Sequence, residues 1–266
     1  MIDARDYAPP TWLRGPHVQS VLSSSPLRRR RGARALARLG AQTSEVLLDA
    51  GDGVRLQGFH SSLPRPPRGL VLLLHGWEGS VESGYMLHTA AGIPLSHAAA
   101  VCPVLDPTAG MIALETGMPL YHWYFMRKWR DSLRRKRKLF PGRHDFEDAA
   151  LKQGMRGLTT WMVERYTDLG LLDKYLDGYA INGDRLAGLQ VPVSILTAED
   201  DPVIPVAAFR KLQLPPHSRL EIAPFGGHCG FLEGINMQGF AEKWVRARLL
   251  EATDVLAAAA GARATG

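Results

Sequence analysis

The sequence is poor in cysteine and has no long apolar run. Cys102 and Cys229 are its two cysteines among 266 residues, too few for a disulfide framework or a metal site with four cysteine ligands. No stretch approaches the roughly 18 consecutive apolar residues of a membrane span, and residues 1–20 lack the apolar core of a signal peptide. These absences predict a cytoplasmic protein that holds no metal.

The composition is that of an ordinary soluble domain. Apolar residues make up 45% of the chain and charged residues 22%, which excludes both an intrinsically disordered chain and a membrane-embedded one. A chain of this length can form one large α/β domain with an insertion, or two small domains.

A carboxylate and an imidazole follow two successive strand-like runs. The apolar run Val193–Leu196 is followed by Asp200 and Asp201, and Leu220–Ala223 is followed by a Gly-Gly turn and His228. An aspartate that orients a histidine forms the acid and base of a nucleophilic triad. Alone, the pattern is more typical of a chance histidine in a glycine loop beside an aspartate that caps a helix, and the segments described below favour the triad.

A third run carries a candidate oxyanion hole. The apolar stretch Leu70–Leu74 leads into the sequence HGWEGS, His75–Ser80. Glycines at such a position let the backbone turn sharply, so that an N–H, here that of Trp77 after Gly76, can point at a developing oxyanion. A simple tight turn from strand to helix is the alternative interpretation.

The remaining segments predict a hairpin, one more strand and a helical insertion. Ser44–Leu48 and Val54–Phe59 flank Asp52-Gly53, a strong hairpin signal. Ala98–Val104 predicts a buried strand, whereas residues 107–190 contain helical patterns and no convincing strand, which indicates an inserted helical cap. Met237–Ala258 has the spacing of a final helix.

Two arginine-rich runs account for most of the net charge of +6. For Arg28–Arg31 we expect a solvated face. In the second run, Arg127–Lys138, Trp129 and Leu133 lie four residues apart among basic residues, which predicts an amphipathic helix suited to an anionic membrane surface. Packing of Trp129 and Leu133 into the cap is the alternative. Neither run lies within a recognisable nucleic-acid-binding fold, so no nucleic acid is expected.

Taken together, HGWEGS, AVCPVLDP, YHWYFMRKWRDSLRRK, TAEDDPVIP and GGHCGF resemble the α/β-hydrolase superfamily, and more narrowly its YheT-like branch, relatives of the abhydrolase-domain lipases. The opening PPTWLRGPHVQS is similar to that branch as well. The resemblance implies catalytic roles for Asp201 and His228, with Asp200 as the alternative acid, and an oxyanion hole at Gly76 and Trp77. It also implies a small acyl-ester substrate and no cofactor.

The chain departs from that family in one respect. No Gly-x-Ser-x-Gly or Gly-x-Cys-x-Gly occurs in its 266 residues, so the turn that presents the nucleophile is missing. About 60 residues, two βα units at about 30 residues each, are absent near Ala90–Gly92. Ser80 is the best of three weak substitutes. Cys229 adjoins His228, where neighbouring side chains usually diverge, and Cys102 lies within a predicted strand.

The sequence therefore predicts an α/β-hydrolase-like, mostly parallel sheet shortened by about two central strands. The predicted parts are an N-terminal extension at 1–43, a discontinuous core at 44–106 and 191–258, a helical cap at 107–190 and a disordered tail at 259–266. We expect an esterase or lipase type of hydrolase with little or no turnover. The alternatives are a non-catalytic binding module that uses the cap and the basic surface, or an internally deleted form of an active esterase. The loss of central strands also predicts exposed apolar helix faces, which a homodimer could cover. Peripheral attachment to a membrane is a further expectation, based on the basic helix.

Overall fold

The computed structural model describes residues 2–49, 55–64, 97–142 and 144–264. The N-terminal part contains two short 3₁₀ turns, two helices and a hairpin. The turns are Ala4–Asp6 and Thr11–Leu13, the helices are α1 (Pro16–Ser23) and α2 (Pro26–Arg38), and the strands are β1 (Gln42–Asp49) and β2 (Arg55–Ser62). Both helices begin with proline at their first position, where its missing N–H costs no hydrogen bond. The two predicted strands pair antiparallel as β1 and β2, and the predicted turn at Asp52-Gly53 lies outside the described residues.

A three-stranded parallel sheet lies at the centre of the fold, which is mixed α/β. Its strands β3 (Ala98–Val101), β4 (Val193–Ala198) and β5 (Arg219–Ala223) are ordered β3-β4-β5. Ala98 lies opposite Val193, and Ser194 lies opposite Arg219. All six residues of β4 are buried, as expected for a central parallel strand covered on both faces.

Helices from the segment between β3 and β4 cover one face of this sheet. They are α3 (Pro107–Thr116), α4 (Pro119–Leu139), α5 (Asp148–Lys152), α6 (Met155–Tyr166) and α7 (Leu172–Tyr179). The Asp106 carboxylate accepts the Ala109 N–H at 2.9 Å and so caps α3. Val193 and Ile195 of β4 share a hydrophobic cluster with residues of these helices. The predicted run of helices without a strand is therefore observed in the described part of residues 107–190.

The N-terminal segment and the last helix cover the opposite face. After β4 come the short helix α8 (Ala207–Arg210), strand β5, the small antiparallel pair β6 (Leu232–Glu233) and β7 (Gln238–Gly239), and the last helix α9 (Phe240–Ala264). Leu196 and Ala198, which alternate with the residues facing the other helices, pack here with Tyr7, Phe231 and Trp244. The sheet is thus the middle of three layers.

Several predicted boundaries differ from the observed ones. The strand predicted for Ala98–Val104 ends at Val101, because Cys102 adopts a left-handed backbone that cannot continue a ladder. The last helix extends to Ala264 and so includes most of the tail predicted to be disordered. Within the described residues, β1 and β2 form a sheet of their own. The predicted strand Leu70–Leu74 lies outside the described residues.

The first arginine run lies within α2 and is a solvated face at three of its four positions, Arg29–Arg31. Arg28 is the exception, because it is buried and forms an ion pair with Glu242 of α9. Arg31 donates to the Asn236 carbonyl oxygen at 2.8 Å. These contacts attach α2 to the C-terminal part of the chain. An unbroken run of arginines does not predict which of them is buried.

The second arginine run lies in α4, and its predicted apolar residues point inward. Leu133 is buried, and Trp129 packs against the same hydrophobic cluster. The alternative interpretation of this run, in which both side chains pack into the cap, is therefore the observed one. None of the described helices is both long enough and apolar enough to cross a bilayer.

Candidate functional site

The carboxyl ends of the three parallel strands bring the predicted acid and base together. Asp201 follows β4 and His228 follows β5, and parallel strands end at the same edge of a sheet. The His228 Nδ1–H donates to Asp201 Oδ2 at 3.1 Å. The predicted contact between these two residues is therefore present.

Asp201 is held rigidly. Its side chain is fully buried, and its Oδ1 accepts the N–H groups of Val203 at 2.8 Å and Ile204 at 2.9 Å. These bonds leave Oδ2 directed at the imidazole. The proline-rich sequence after Asp201 is consistent with this tight turn. The hydrogen bond that Asp201 accepts from Nδ1 fixes the ring of His228 in one orientation and one tautomer.

Asp200, the alternative acid, has a different role. Its Oδ1 accepts the Gly227 N–H at 2.9 Å, so it positions the glycine turn rather than the imidazole. Burial raises the pKa of Asp200, and the hydrogen bond from Gly227 opposes that effect. Of the two aspartates, the structure pairs Asp201 with His228.

The loop Gly226–Phe231, which carries His228, is anchored by the N-terminal segment. The His228 N–H donates to Ser20 Oγ at 2.8 Å. Gln19 is completely buried; its Oε1 accepts the Leu232 N–H at 2.6 Å, and its Nε2 donates to the Tyr7 hydroxyl at 2.7 Å. These contacts join parts of the chain more than 200 residues apart and fix the loop from outside.

Both cysteines converge on His228. The Cys229 Sγ lies 4.0 Å from His228 Nε2, and one ligand atom from each of Cys102, His228 and Cys229 lies within 4.8 Å of the others. The expectation that adjacent side chains diverge is wrong here. Cys229 adopts a left-handed backbone with φ 54°, which turns its side chain back toward the imidazole.

This neighbourhood changes the pKa values of all three groups. Burial raises the pKa of the Cys102 thiol well above its ordinary value. A hydrogen bond with Cys102, supported by the charge of His228 and opposed by burial, lowers the pKa of Cys229 to about 5. Burial acts to lower the pKa of His228, but the Cys229 and Asp201 charges outweigh it and raise that pKa well above its usual range.

The remaining predicted site residues, Gly76, Trp77 and Ser80, lie outside the described residues. Sequence reasoning also missed Gln19 and Ser20. The motif PPTWLRGPHVQS contains both, but nothing in its local pattern shows that they contact the histidine loop.

The geometry provides an oriented imidazole whose Nε2 is available. Asp201 occupies Nδ1, and the His228 side chain is 26% exposed, so a molecule from solvent can reach the ring. Such an imidazole can accept and return a proton, or donate a lone pair to a metal ion. The pairing of an orienting carboxylate with a partly exposed imidazole is the main chemical feature of this edge.

Comparison of the chain with known protein families, with characterised proteins and with solved structures finds no match.

Proposed function

We propose that this chain is a carboxylic-ester hydrolase of the α/β-hydrolase type, of the YheT-like branch, with little or no turnover. The observation that carries the proposal is the 3.1 Å hydrogen bond from His228 Nδ1 to the fully buried Asp201 carboxylate. In ester hydrolysis, Nε2 of such a histidine takes a proton from the nucleophile and passes it to the leaving group, while the aspartate stabilises the imidazolium.

Chain order and topology support the hydrolase assignment. An aspartate after one parallel strand and a histidine after the next, on neighbours β4 and β5, is the arrangement the resemblance implies. HGWEGS would then provide the oxyanion-hole N–H at Trp77. The small parallel sheet is compatible with a hydrolase sheet that lacks about two central strands.

The reason to expect little turnover is the missing nucleophile turn. Acyl transfer of this kind needs an oxygen or a sulfur held toward the acyl carbon by a strained turn between strand and helix. The chain contains no Gly-x-Ser-x-Gly. Without its nucleophile, a triad retains about 10³–10⁴-fold acceleration over water, supplied by the oxyanion hole and substrate binding.

The purified protein is expected to hydrolyse p-nitrophenyl butyrate no faster than its His228→Ala variant, and to remain unlabelled by a fluorophosphonate probe. A positive test follows from the same argument. Insertion of a segment of the form strand–Gly-x-Ser-x-Gly–helix near Ala91 should give probe labelling that His228→Ala abolishes. His217→Ala, which removes an exposed imidazole bonded to the Leu189 carbonyl, should leave the labelling unchanged.

The result that would overturn the proposal is an insertion variant that folds but stays unlabelled, or is labelled equally without His228. Stoichiometric labelling of the unmodified protein would contradict the expected lack of turnover. The modified peptide would then show whether Ser80 or Cys229 acts as nucleophile.

A second candidate function is that of a membrane-binding module, and a specific surface favours it. Leu120, Trp123 and Tyr124 of α4 are exposed, Trp123 by 53%. The Arg127 guanidinium lies over the Trp123 ring and the Lys128 ammonium over the Tyr124 ring. Since positions i, i+3, i+4, i+7 and i+8 lie on one face of a helix, this aromatic–basic face suits an anionic lipid surface.

The double variant Arg127→Gln, Lys128→Gln is expected to reduce partitioning onto phosphatidylserine-containing vesicles by about 30-fold, since each basic residue contributes about 1 kcal/mol. Trp123→Ala should weaken binding without loss of thermal stability. Trp129→Ala is the matched control, because Trp129 packs inward and its loss should lower stability. Co-sedimentation that is the same with neutral and anionic vesicles would exclude this role.

A further inference from the structure

We infer that Cys102, Cys229 and His228 form a binding site for a soft divalent metal ion of the Zn²⁺ type, with Asp201 as the residue that orients the histidine ligand. One ligand atom from each of the three residues lies within 4.8 Å of the other two. Cys102 directly follows β3 and the other two residues lie in the loop after β5, so all three are at one edge of the sheet. This inference goes beyond the proposed hydrolase function.

The spacing of the ligand atoms fits a tetrahedral ion. Zn–S bonds are about 2.3 Å and Zn–N bonds about 2.0–2.1 Å long, so the ligand atoms of a tetrahedral site lie about 3.5–3.8 Å apart. The Cys229 Sγ is already 4.0 Å from His228 Nε2. Since no pair among the three exceeds 4.8 Å, contraction by at most about 1.3 Å closes the site around an ion.

The second nitrogen of His228 is bound in the way that metal sites require. Nδ1–H donates to the buried Asp201 carboxylate at 3.1 Å, which fixes the ring and leaves Nε2 as the nitrogen that binds an ion when the ion displaces its proton. A carboxylate that holds the outer nitrogen of a metal-binding histidine is a regular feature of zinc sites. Asp201 is therefore assigned as a positioning residue rather than a ligand.

The backbone at both cysteines is itself unusual. Cys102 has φ 44° and Cys229 has φ 54°, a left-handed conformation that costs a residue other than glycine about 1–2 kcal/mol. Such strained positions concentrate at functional sites. Here both thiols lie within 4.8 Å of each other and of a ring nitrogen of His228.

Ligand chemistry decides the class of ion. Two sulfurs and one imidazole form a soft donor set that favours Zn²⁺ over the oxygen-seeking Mg²⁺ and Ca²⁺. Three protein ligands leave the fourth tetrahedral position to water or a substrate, and the partly exposed His228 gives access to it. An ion on Nε2 would occupy the nitrogen that ester hydrolysis requires, so the metal-bound and proton-transferring states exclude each other.

The test uses the full chain, reduced and stripped of metal, with Co²⁺ as a spectroscopic probe. One equivalent of Co²⁺ should give the intense visible bands of a tetrahedral site and a near-ultraviolet sulfur-to-cobalt band, and Zn²⁺ should displace it. Because the chain has two cysteines, a sulfur-to-cobalt band can arise from Cys102 and Cys229 alone.

Each of the variants Cys102→Ser, Cys229→Ser and His228→Gln lacks one ligand and should bind Co²⁺ more than 100-fold more weakly. Asp201→Asn should weaken it by about 10–100-fold while retaining the tetrahedral spectrum, as expected for the loss of an outer partner. His217→Gln, the exposed control, should bind as the unmodified protein does.

A second measurement needs no variant. Zn²⁺ should slow alkylation of Cys229 by iodoacetamide in the unmodified protein. The inference is wrong if Co²⁺ gives weak octahedral bands and no sulfur-to-cobalt band, or if Zn²⁺ leaves the alkylation rate unchanged. Neither measurement involves ester hydrolysis, so failure here would leave the hydrolase proposal standing.

Discussion

Replacement of Gly227 by alanine is expected to lower the free energy of unfolding by about 3 kcal/mol. Gly227 has φ +53°, and an added Cβ would overlap the carbonyl oxygen of Pro16 and lie 2.6 Å from Ser20 Oγ. Overpacking costs about 1–3 kcal/mol, and a left-handed backbone costs alanine about 1–2 kcal/mol more. The Pro16 carbonyl belongs to α1, so relief requires movement of a whole helix.

Gly234→Ala is the matched control. Gly234 has a similar φ of +66°, but an added Cβ would meet no heavy atom within 4 Å. Its cost should therefore be the backbone term alone, about 1–2 kcal/mol. Denaturant unfolding of both variants gives the difference between their free energies of unfolding. This difference measures how closely α1 approaches the loop Gly226–Phe231. Equal midpoints for the two variants would contradict the observed approach.

The same close approach has a consequence for the site. Gly227 directly precedes His228 and donates to Asp200, so displacement of α1 would pull the imidazole from Asp201. Metal binding and any proton-transfer activity should then fall more steeply than stability in Gly227→Ala. In Gly234→Ala, which lies beyond the loop, they should not.

The approach of Asp201 to His228 could be predicted from sequence because the signal for both residues is local. Each follows a short apolar strand, and parallel strands place their ends at one edge. The choice of Asp201 over Asp200 came from the resemblance, and the structure pairs Asp201 with the histidine. The absence of a nucleophile motif was equally readable.

Convergence of the two cysteines could not be predicted, because backbone handedness is not encoded in a readable pattern. The sequence around Cys102 and Cys229 does not predict a positive φ at either residue. With ordinary backbone angles, the side chains of adjacent residues such as His228 and Cys229 diverge. For Trp129 and Leu133, the helical spacing predicted one apolar face correctly but could not show what covers it. Both the convergence of the cysteines and the inward packing of Trp129 and Leu133 depend on residues that are distant in sequence.

Gln19→Ala is expected to lower the free energy of unfolding by about 3 kcal/mol and to loosen the histidine loop. The buried amide of Gln19 accepts the Leu232 N–H at 2.6 Å, and its Nε2 donates to Tyr7 Oη at 2.7 Å, to Leu13 O at 2.7 Å and to Leu232 O at 3.1 Å. Alanine removes this partner from the Leu232 N–H and the Leu13 carbonyl, whereas the Tyr7 hydroxyl and the Leu232 carbonyl keep their bond to each other. Each buried group left unpaired costs about 1–3 kcal/mol. Gln190→Ala, at an exposed glutamine bonded to the Gly188 carbonyl, should change stability by less than about 0.5 kcal/mol.

The variant Tyr7→Phe tests whether Gln19 stabilises the fold through its hydrogen bonds with Tyr7 and Leu232 or only by filling space. The Tyr7 hydroxyl donates to Leu232 O at 2.8 Å and accepts from Gln19, so the two substitutions remove overlapping bonds. Their combined effect should be smaller than the sum of the single effects, by about 1 kcal/mol or more. Amide exchange at Leu232 should accelerate in Gln19→Ala and change little in Gln190→Ala. If the two effects add fully, or Leu232 stays protected, Gln19 fills space rather than anchoring the strand that follows His228, and the loop must be held by Ser20 and Asp200 instead.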